Sequence, residues 1–186
     1  MKIGIIDYGA GNLKSVQNAL DRLSVSYFVS DNSEELKKAD KIIFPGVGNA
    51  KPAMEVLKQK KLDVFLKNFK KPVLGICLGM QLLCEYSEED DTECLGIISG
   101  KVIRFEPEKV GKIPHMGWNS CLNKFFYFVH SYYVPVSNYA ISTCQYGEQE
   151  FAAIVKKDNF IGMQFHPEKS EKEGEVLLKN FINNEI

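Results

Sequence analysis

The chain has 186 residues, a formal net charge of −1 and a quarter of its side chains charged. That length buries one sizeable core, and no linker, charge block or internal repeat divides residues 1–186. Interspersed lysines and acids give no footprint for a nucleic acid or a membrane surface, and no run approaches the ~18 apolar residues of a membrane span. A small molecule or a protein is the expected partner, and the cytoplasm the expected compartment.

The first segment, Lys2 to Ile6, has the apolar character of a buried strand. It runs into Asp7-Tyr8-Gly9-Ala10-Gly11-Asn12, after which Leu13, Val16, Gln17, Leu20 and Leu23 keep the spacing of a helix. The loop offers only Gly9 and Gly11 of a dinucleotide fingerprint, with Lys14 where a third glycine would stand, so it predicts a shaped loop rather than a nucleotide site. Tyr27–Val29 reads as a strand, Ser33–Ala39 as a short helix opened by Ser33-Glu34-Glu35, and Lys41–Phe44 as a third strand. Such alternation implies a parallel sheet.

Pro45-Gly46-Val47-Gly48-Asn49-Ala50 is a glycine-rich turn at the carboxyl end of that third strand, followed by a helix through Met54, Val56 and Leu57. Ligands of open α/β sheets bind at this edge, where an N–H of Val47 or Gly48 can face a developing anion. Leu62–Phe69 supplies another amphipathic helix.

Val73-Leu74-Gly75-Ile76-Cys77-Leu78-Gly79-Met80-Gln81 then reads as a nucleophile elbow: a short buried strand, a cysteine between two glycines, and a helix marked by Leu78, Gln81, Leu82 and Glu85. The glycines remove side chains that would collide across a sharp strand-to-helix turn. The first turn of a helix carries unpaired N–H groups and partial positive charge, which favours a thiolate, and the N–H of Leu78 is placed to receive an oxyanion. Cys84, Cys94, Cys121 and Cys144 are expected to be structural; five cysteines without a CxxC pair support neither a disulfide framework nor a zinc site. Cys84 is expected in the same helix as Cys77. The acidic run Glu85–Asp91 reads as a solvated helix end and loop, with no role in chemistry.

The second half changes character. Lys101–Phe105, Phe125–Tyr132, Tyr139–Gln145, Phe151–Val155 and Ile161–Phe165 read as antiparallel additions to the sheet, closed by a helix through Val176, Leu177, Phe181 and Ile182. Of the three histidines, His166 is best placed as general base. It ends a strand, and Pro167 fixes its backbone while Glu168 can lie on the same side of an extended segment to hold the imidazole. His115, after Pro114 in a turn, is expected to be structural, and His130 to be a strand residue or to line a pocket. Cys77, His166 and Glu168 thus form a candidate nucleophile, base and orienter.

With these residues assembled, the chain resembles the class I glutamine amidotransferases. Gly75-Ile76-Cys77-Leu78-Gly79-Met80-Gln81 and Phe165-His166-Pro167-Glu168 carry that likeness. Asp7–Leu13, Pro114–Asn119, Phe128–Tyr132 and Pro167–Ser170 are similar to motifs of one branch, the glutaminase subunits of imidazole glycerol phosphate synthase. The resemblance implies a flavodoxin-like α/β fold with a mostly parallel central sheet flanked by helices, and hydrolysis of glutamine to glutamate and ammonia through a Cys77 thioester. It implies Val47 and Leu78 as the oxyanion hole and Gly48, Gln81, His130, Ser131 and Tyr132 as the glutamine site. It also implies a (β/α)₈-barrel cyclase of histidine biosynthesis as heterodimer partner, faced by Asn12, Met116, Trp118 and Lys169, the last two gating the ammonia route. No metal or organic cofactor is expected. A relative serving another synthase, a stand-alone γ-glutamyl cysteine hydrolase and a non-catalytic binding subunit are the alternatives. One departure is the segment Ser120–Phe125, shorter than the family pattern.

Overall fold

The computed structural model describes residues 1–9 and 12–186, so the Ala10-Gly11 part of the first glycine-bearing loop lies outside the described residues. In chain order the elements are β1 Ile3–Ile6, α1 Leu13–Arg22, β2 Tyr27–Ser30, α2 Ser33–Leu36, β3 Lys41–Phe44, α3 Ala50–Gln59, α4 Leu62–Asn68, β4 Val73–Ile76 and α5 Leu78–Leu82. There follow β5 Tyr86–Ser87, β6 Thr92–Glu93, β7 Lys101–Arg104, α6 Pro107–Val110, β8 His115–Cys121, β9 Lys124–His130 and β10 Tyr132–Tyr133. The chain closes with β11 Ala140–Tyr146, β12 Gln149–Lys157, β13 Phe160–Met163, a 3₁₀ turn Pro167–Lys169 and α7 Glu171–Asn183.

The main sheet has seven strands in the order β11-β12-β13-β4-β3-β1-β2. From β13 through to β2 every pairing is parallel, and β12 and β11 add antiparallel at one edge. The central strands are buried on both faces because alternate residues feed two cores. Ile42, Phe44 and Val73 join Leu36, Met54, Leu57 and Phe65 under α2 to α4. Ile43, Leu74 and Ile76 join Leu20, Leu178 and Phe181 under α1 and α7. Each such side chain taken from water stabilises the fold by about 1.5–3 kcal/mol. The carboxyl end of α7 is held by buried Lys41, whose Nζ donates to the carbonyl of Phe181 at 2.8 Å, a cation where the helix dipole is negative.

Several sequence expectations are corrected here. The second-half strands are not all additions to one sheet: β10-β7-β5-β6 form a separate four-stranded sheet, β8 and β9 pair only as a hairpin, and β13 lies parallel to β4 inside the main sheet. His115 begins strand β8 instead of sitting in a turn. The short segment Ser120–Phe125 is the tip of that hairpin, Leu122 and Asn123 taking φ +55° and +58°, the backbone a two-residue turn requires to match the twist of its strands. Helix α2 is capped by Asn32, whose Oδ1 accepts from the N–H of Glu34 at 2.8 Å, one residue before the start signal read in the sequence. Helix α5 ends at Leu82 with Leu83 as its cap, so Cys84 lies beyond the helix of Cys77. The acidic run is not a helix end: it spans the β5–β6 hairpin, its turn at 88–91 largely solvated as expected, with β5 against α5 and β6 against α3.

Candidate active site

Three neighbouring parallel strands, β3, β4 and β13, end on one edge of the sheet. The turn after β3 carries Val47 and Gly48, the turn after β4 carries Cys77, and the segment after β13 carries His166. They line one cleft of about 310 Å³ together with Asn49, Leu78, Gln81, Glu89, Pro114, Val129, Ser131 and Tyr132, and with His130.

Cys77 occupies the sharp turn that the sequence implied, at φ +53° and ψ −109°, a conformation a side chain rarely adopts. The turn is locked from both sides: its N–H donates to the Met163 carbonyl at 2.7 Å and its carbonyl accepts from Gln81 N at 3.1 Å. The packing behind it explains the glycines. A Cβ on Gly79 would stand 2.0 Å from the Phe44 carbonyl oxygen, and one on Gly75 would stand 2.8 Å from the backbone of Gly79.

His166 and Glu168 meet through the 3₁₀ turn and not along an extended segment. Nδ1 of His166 lies 2.7 Å from Glu168 Oε1, both side chains almost fully buried. Among the described residues, Nε2 of His166 has no hydrogen-bond partner, and its ring borders the cleft beside Cys77. Burial by itself would lower the basicity of this imidazole; the Cys77 sulfur and the Glu168 carboxylate outweigh it and raise the pKa to about 10. The segment is pinned from outside by Ser170, whose Oγ donates to the His166 carbonyl at 2.7 Å and accepts from the N–H of Tyr127 at 3.0 Å. The other four thiols are pushed upward by burial, Cys84, Cys94 and Cys144 to about 12 and Cys121 in the same direction.

His130 borders the cleft, yet its ring is committed within the protein. Nδ1 lies 2.7 Å from the Tyr132 carbonyl and Nε2 lies 3.0 Å from Nδ1 of His115, whose Nε2 in turn faces Asn119 Nδ2 at 3.2 Å. A carbonyl only accepts, so His130 Nδ1 carries its proton, His115 Nδ1 donates to His130, and Asn119 donates to His115; both rings are neutral. Burial leads both pKa values downward, to about 3 for His130 and about 4 for His115. The pair is therefore a rigid wall, His115 stacking on Phe128 and Tyr146.

On the outer face of the β8–β9 hairpin, Met116 and Trp118 alternate with buried His115 along β8 and stand 58% and 50% exposed. Exposed Lys169 lies over the Tyr127 ring at 5.9 Å, and Trp118 meets the same ring edge-on. Asn12 caps α1, its Oδ1 accepting from Ser15 N at 3.2 Å.

Residues 4–184 match the family model of the glutamine amidotransferases of class I. The chain is 51% identical over 195 residues to the imidazole glycerol phosphate synthase subunit HisH of Bacteroides fragilis, covering 98% of this chain and 99% of that one. It is 48% identical over 194 residues to the subunit HisH 2 of Legionella pneumophila, covering 97% of each. This chain belongs to the class I glutamine amidotransferases. Solved structures bear out the fold: a glutamine amidotransferase crystal structure superposes with a TM-score of 0.78 over 97% of each chain at 16% identity. PurLQS from Thermotoga maritima superposes with a TM-score of 0.72 over 100% of this chain and 99% of that one at 15% identity.

Two residues around the site of this amidotransferase escaped the sequence reading, one lining the cleft and one buried behind Cys77. Glu89 reaches the cleft from the β5–β6 hairpin and accepts from the N–H of Ala50 at 2.8 Å, at the start of α3; burial raises its pKa. Its only sequence signal was membership of an acidic run. Gln164, fully buried beneath Cys77, was read merely as a residue of the strand before His166.

Proposed function

We propose that Cys77, His166 and Glu168 hydrolyse the side-chain amide of glutamine and that the ammonia passes to a synthase subunit forming imidazole glycerol phosphate. The observation that carries the reading is the polarity of His166: Nδ1 is tied to Glu168, and among the described residues Nε2 is buried without a partner, on a ring that borders the cleft with Cys77.

The sulfur attacks the γ-carbonyl carbon, and the negative charge that develops on its oxygen is received by the N–H of Leu78, at the start of α5, and by that of Val47 after β3. Imidazolium His166 gives its Nε2 proton to the departing nitrogen, so ammonia leaves and a γ-glutamyl thioester remains. His166 then takes a proton from water as the water attacks the thioester, and collapse returns the thiolate and glutamate. Glu168 fixes the tautomer and stabilises the imidazolium. Gly48, Ser131 and Tyr132 border the space for the amino-acid end of the substrate; there the Glu89 carboxylate complements an α-ammonium group. Gln81 contributes its Oε1, since both protons of its Nε2 are spent within the protein. His130 shapes this site as a wall.

The partner reading rests on the exposed apolar side chains of Met116 and Trp118 beside the cleft and on the neighbouring Lys169. A cyclase built as a (β/α)₈ barrel would seat there, with Asn12 at the margin, in a cytoplasmic heterodimer. The test is glutamate release from glutamine by this chain alone, then with a cyclase subunit and its nucleotide ligand. Strong stimulation is the expected result. Full activity without the partner would replace the reading with an independent γ-glutamyl hydrolase, and inactivity in both conditions would remove this synthase.

A further inference from the structure

We propose that Gln164 is a thiolate-holding residue: its side-chain N–H donates to the Cys77 sulfur, and its orientation is dictated by a hydrogen-bond chain that begins at the Tyr132 carbonyl. The inference deepens the hydrolytic reading of the same site and rests on Cys77 acting as its nucleophile.

The chain runs in one direction only. The Tyr132 carbonyl oxygen accepts from Gln81 Nε2 at 2.8 Å, which fixes the Gln81 amide with its nitrogen inward. The same nitrogen donates at 2.9 Å to Oε1 of Gln164. An amide that presents its oxygen to Gln81 must present its nitrogen on the opposite side, and there Gln164 Nε2 lies 3.7 Å from Cys77 Sγ. Flipping either amide would set two donors or two acceptors face to face. His130 donates to the same Tyr132 oxygen at 2.7 Å, so the anchoring carbonyl is itself held in place. The main chain of Gln164 is fixed by its N–H on the Ala153 carbonyl at 2.9 Å.

This arrangement separates the two states of the sulfur. As a thiol, Cys77 has an acceptor within reach, the Val129 carbonyl at 3.8 Å. As a thiolate it needs donors, and the buried Gln164 amide faces it from below while His166 stands on the cleft side. An N–H fixed in advance costs no reorganisation when the sulfur becomes charged again on collapse of the thioester. Tyr132 and Gln81 border the glutamine cleft, so the groups that meet substrate also set the direction of the donor on the nucleophile.

The experiment is the pH dependence of Cys77 alkylation by iodoacetamide in the full chain, read on the Cys77 peptide by mass spectrometry, with folding checked by circular dichroism. Gln164→Leu removes the donor and is expected to move the alkylation midpoint up by about one pH unit. Gln164→Glu keeps volume and the acceptor toward Gln81 but turns an oxygen to the sulfur, and is expected to move it further. With glutamine and the partner subunit, Gln164→Leu is expected to lower kcat about tenfold while KM stays within about twofold, whereas general loosening of the cleft would raise KM. An unchanged midpoint in the folded Gln164→Glu chain overturns the proposal, whatever the Leu variant does. The alkylation needs no glutamine, so shifted midpoints in a chain that releases no glutamate would sink the glutaminase reading and leave this one standing. Unshifted midpoints with normal turnover would do the reverse.

Discussion

The two sides of the cleft follow opposite rules. On the sheet side, Cys77, His166 and Glu168 are buried, and their segments are tied by main-chain bonds to Met163 and Tyr127 and by the Ser170 hydroxyl. On the hairpin side, β8 and β9 bury one face and leave the other open. His115, Cys121, Phe126, Phe128 and His130 point inward, while Met116, Trp118, Leu122 and Phe125 remain 48–63% exposed. A strand alternates its side chains between faces, so an inward apolar set needs no apolar residues outward. Under the proposed partner reading these outward side chains are the surface the cyclase covers, whereas the sheet side is packed within the chain.

The contrast is broken most severely at its buried end. Cys77→Ala is expected to lower glutamate release, measured with the synthase partner, by about ten-thousandfold or more while the circular dichroism spectrum stays native. Retained turnover would show that the sulfur is not the nucleophile. Glu168→Gln leaves the volume unchanged but removes the charge that holds Nδ1, and is expected to cost about a thousandfold in kcat. In the same variant the His166 pKa should fall, which an NMR titration of the ring reads directly.

Gly79→Ala tests packing alone. The added methyl would meet the Phe44 carbonyl at 2.0 Å, so denaturant titration should give a loss of about 2–3 kcal/mol; a variant as stable as the parent would mean that β3 and α5 can separate freely.

The neutral histidine wall sharpens the comparison through pH. In the folded chain His130 and His115 titrate near 3 and 4, below the ordinary value of 6.5. The unfolded chain therefore binds protons that the folded chain refuses, and stability present above about pH 6.5 is lost as the pH falls toward 4. The slope is at most about 1.4 kcal/mol per pH unit for each ring. Denaturant midpoints between pH 7 and 4.5 measure this, and His115→Asn, which removes one ring, is expected to flatten it; a slope unchanged in that variant would exclude the wall as its source.

The smallest effect on the isolated chain belongs to the open face. Trp118→Ala, half exposed, is expected to change stability by about 0.5 kcal/mol or less. Stimulation of glutamate release by the cyclase should nevertheless fall about tenfold or more if the side chain anchors that contact. No change in stimulation would move the interface elsewhere.

The sequence by itself determined the alternation of β1 to β4 in the parallel sheet and singled out the candidate nucleophile, base and orienter. A buried strand, a cysteine between glycines and an immediate helix leave one local geometry, and a histidine beside Pro167 with an acid two residues on leaves few others, because these constraints act within a handful of residues. Val47 and Gly48 were legible for the same reason, as a glycine-rich turn at the carboxyl edge of a strand. What only the tertiary structure decided lies between distant segments. Glu89 looked like one charge in a solvated run until the β5–β6 hairpin packed it on the start of α3. His115 looked solitary until β8 paired with β9 and set its ring on His130. The direction of the Gln164 amide exists only because residues 81, 132 and 164 meet. A hydrogen-bonded side chain has a direction only once its partner is in place, and pairing across many residues has no signature in either segment alone.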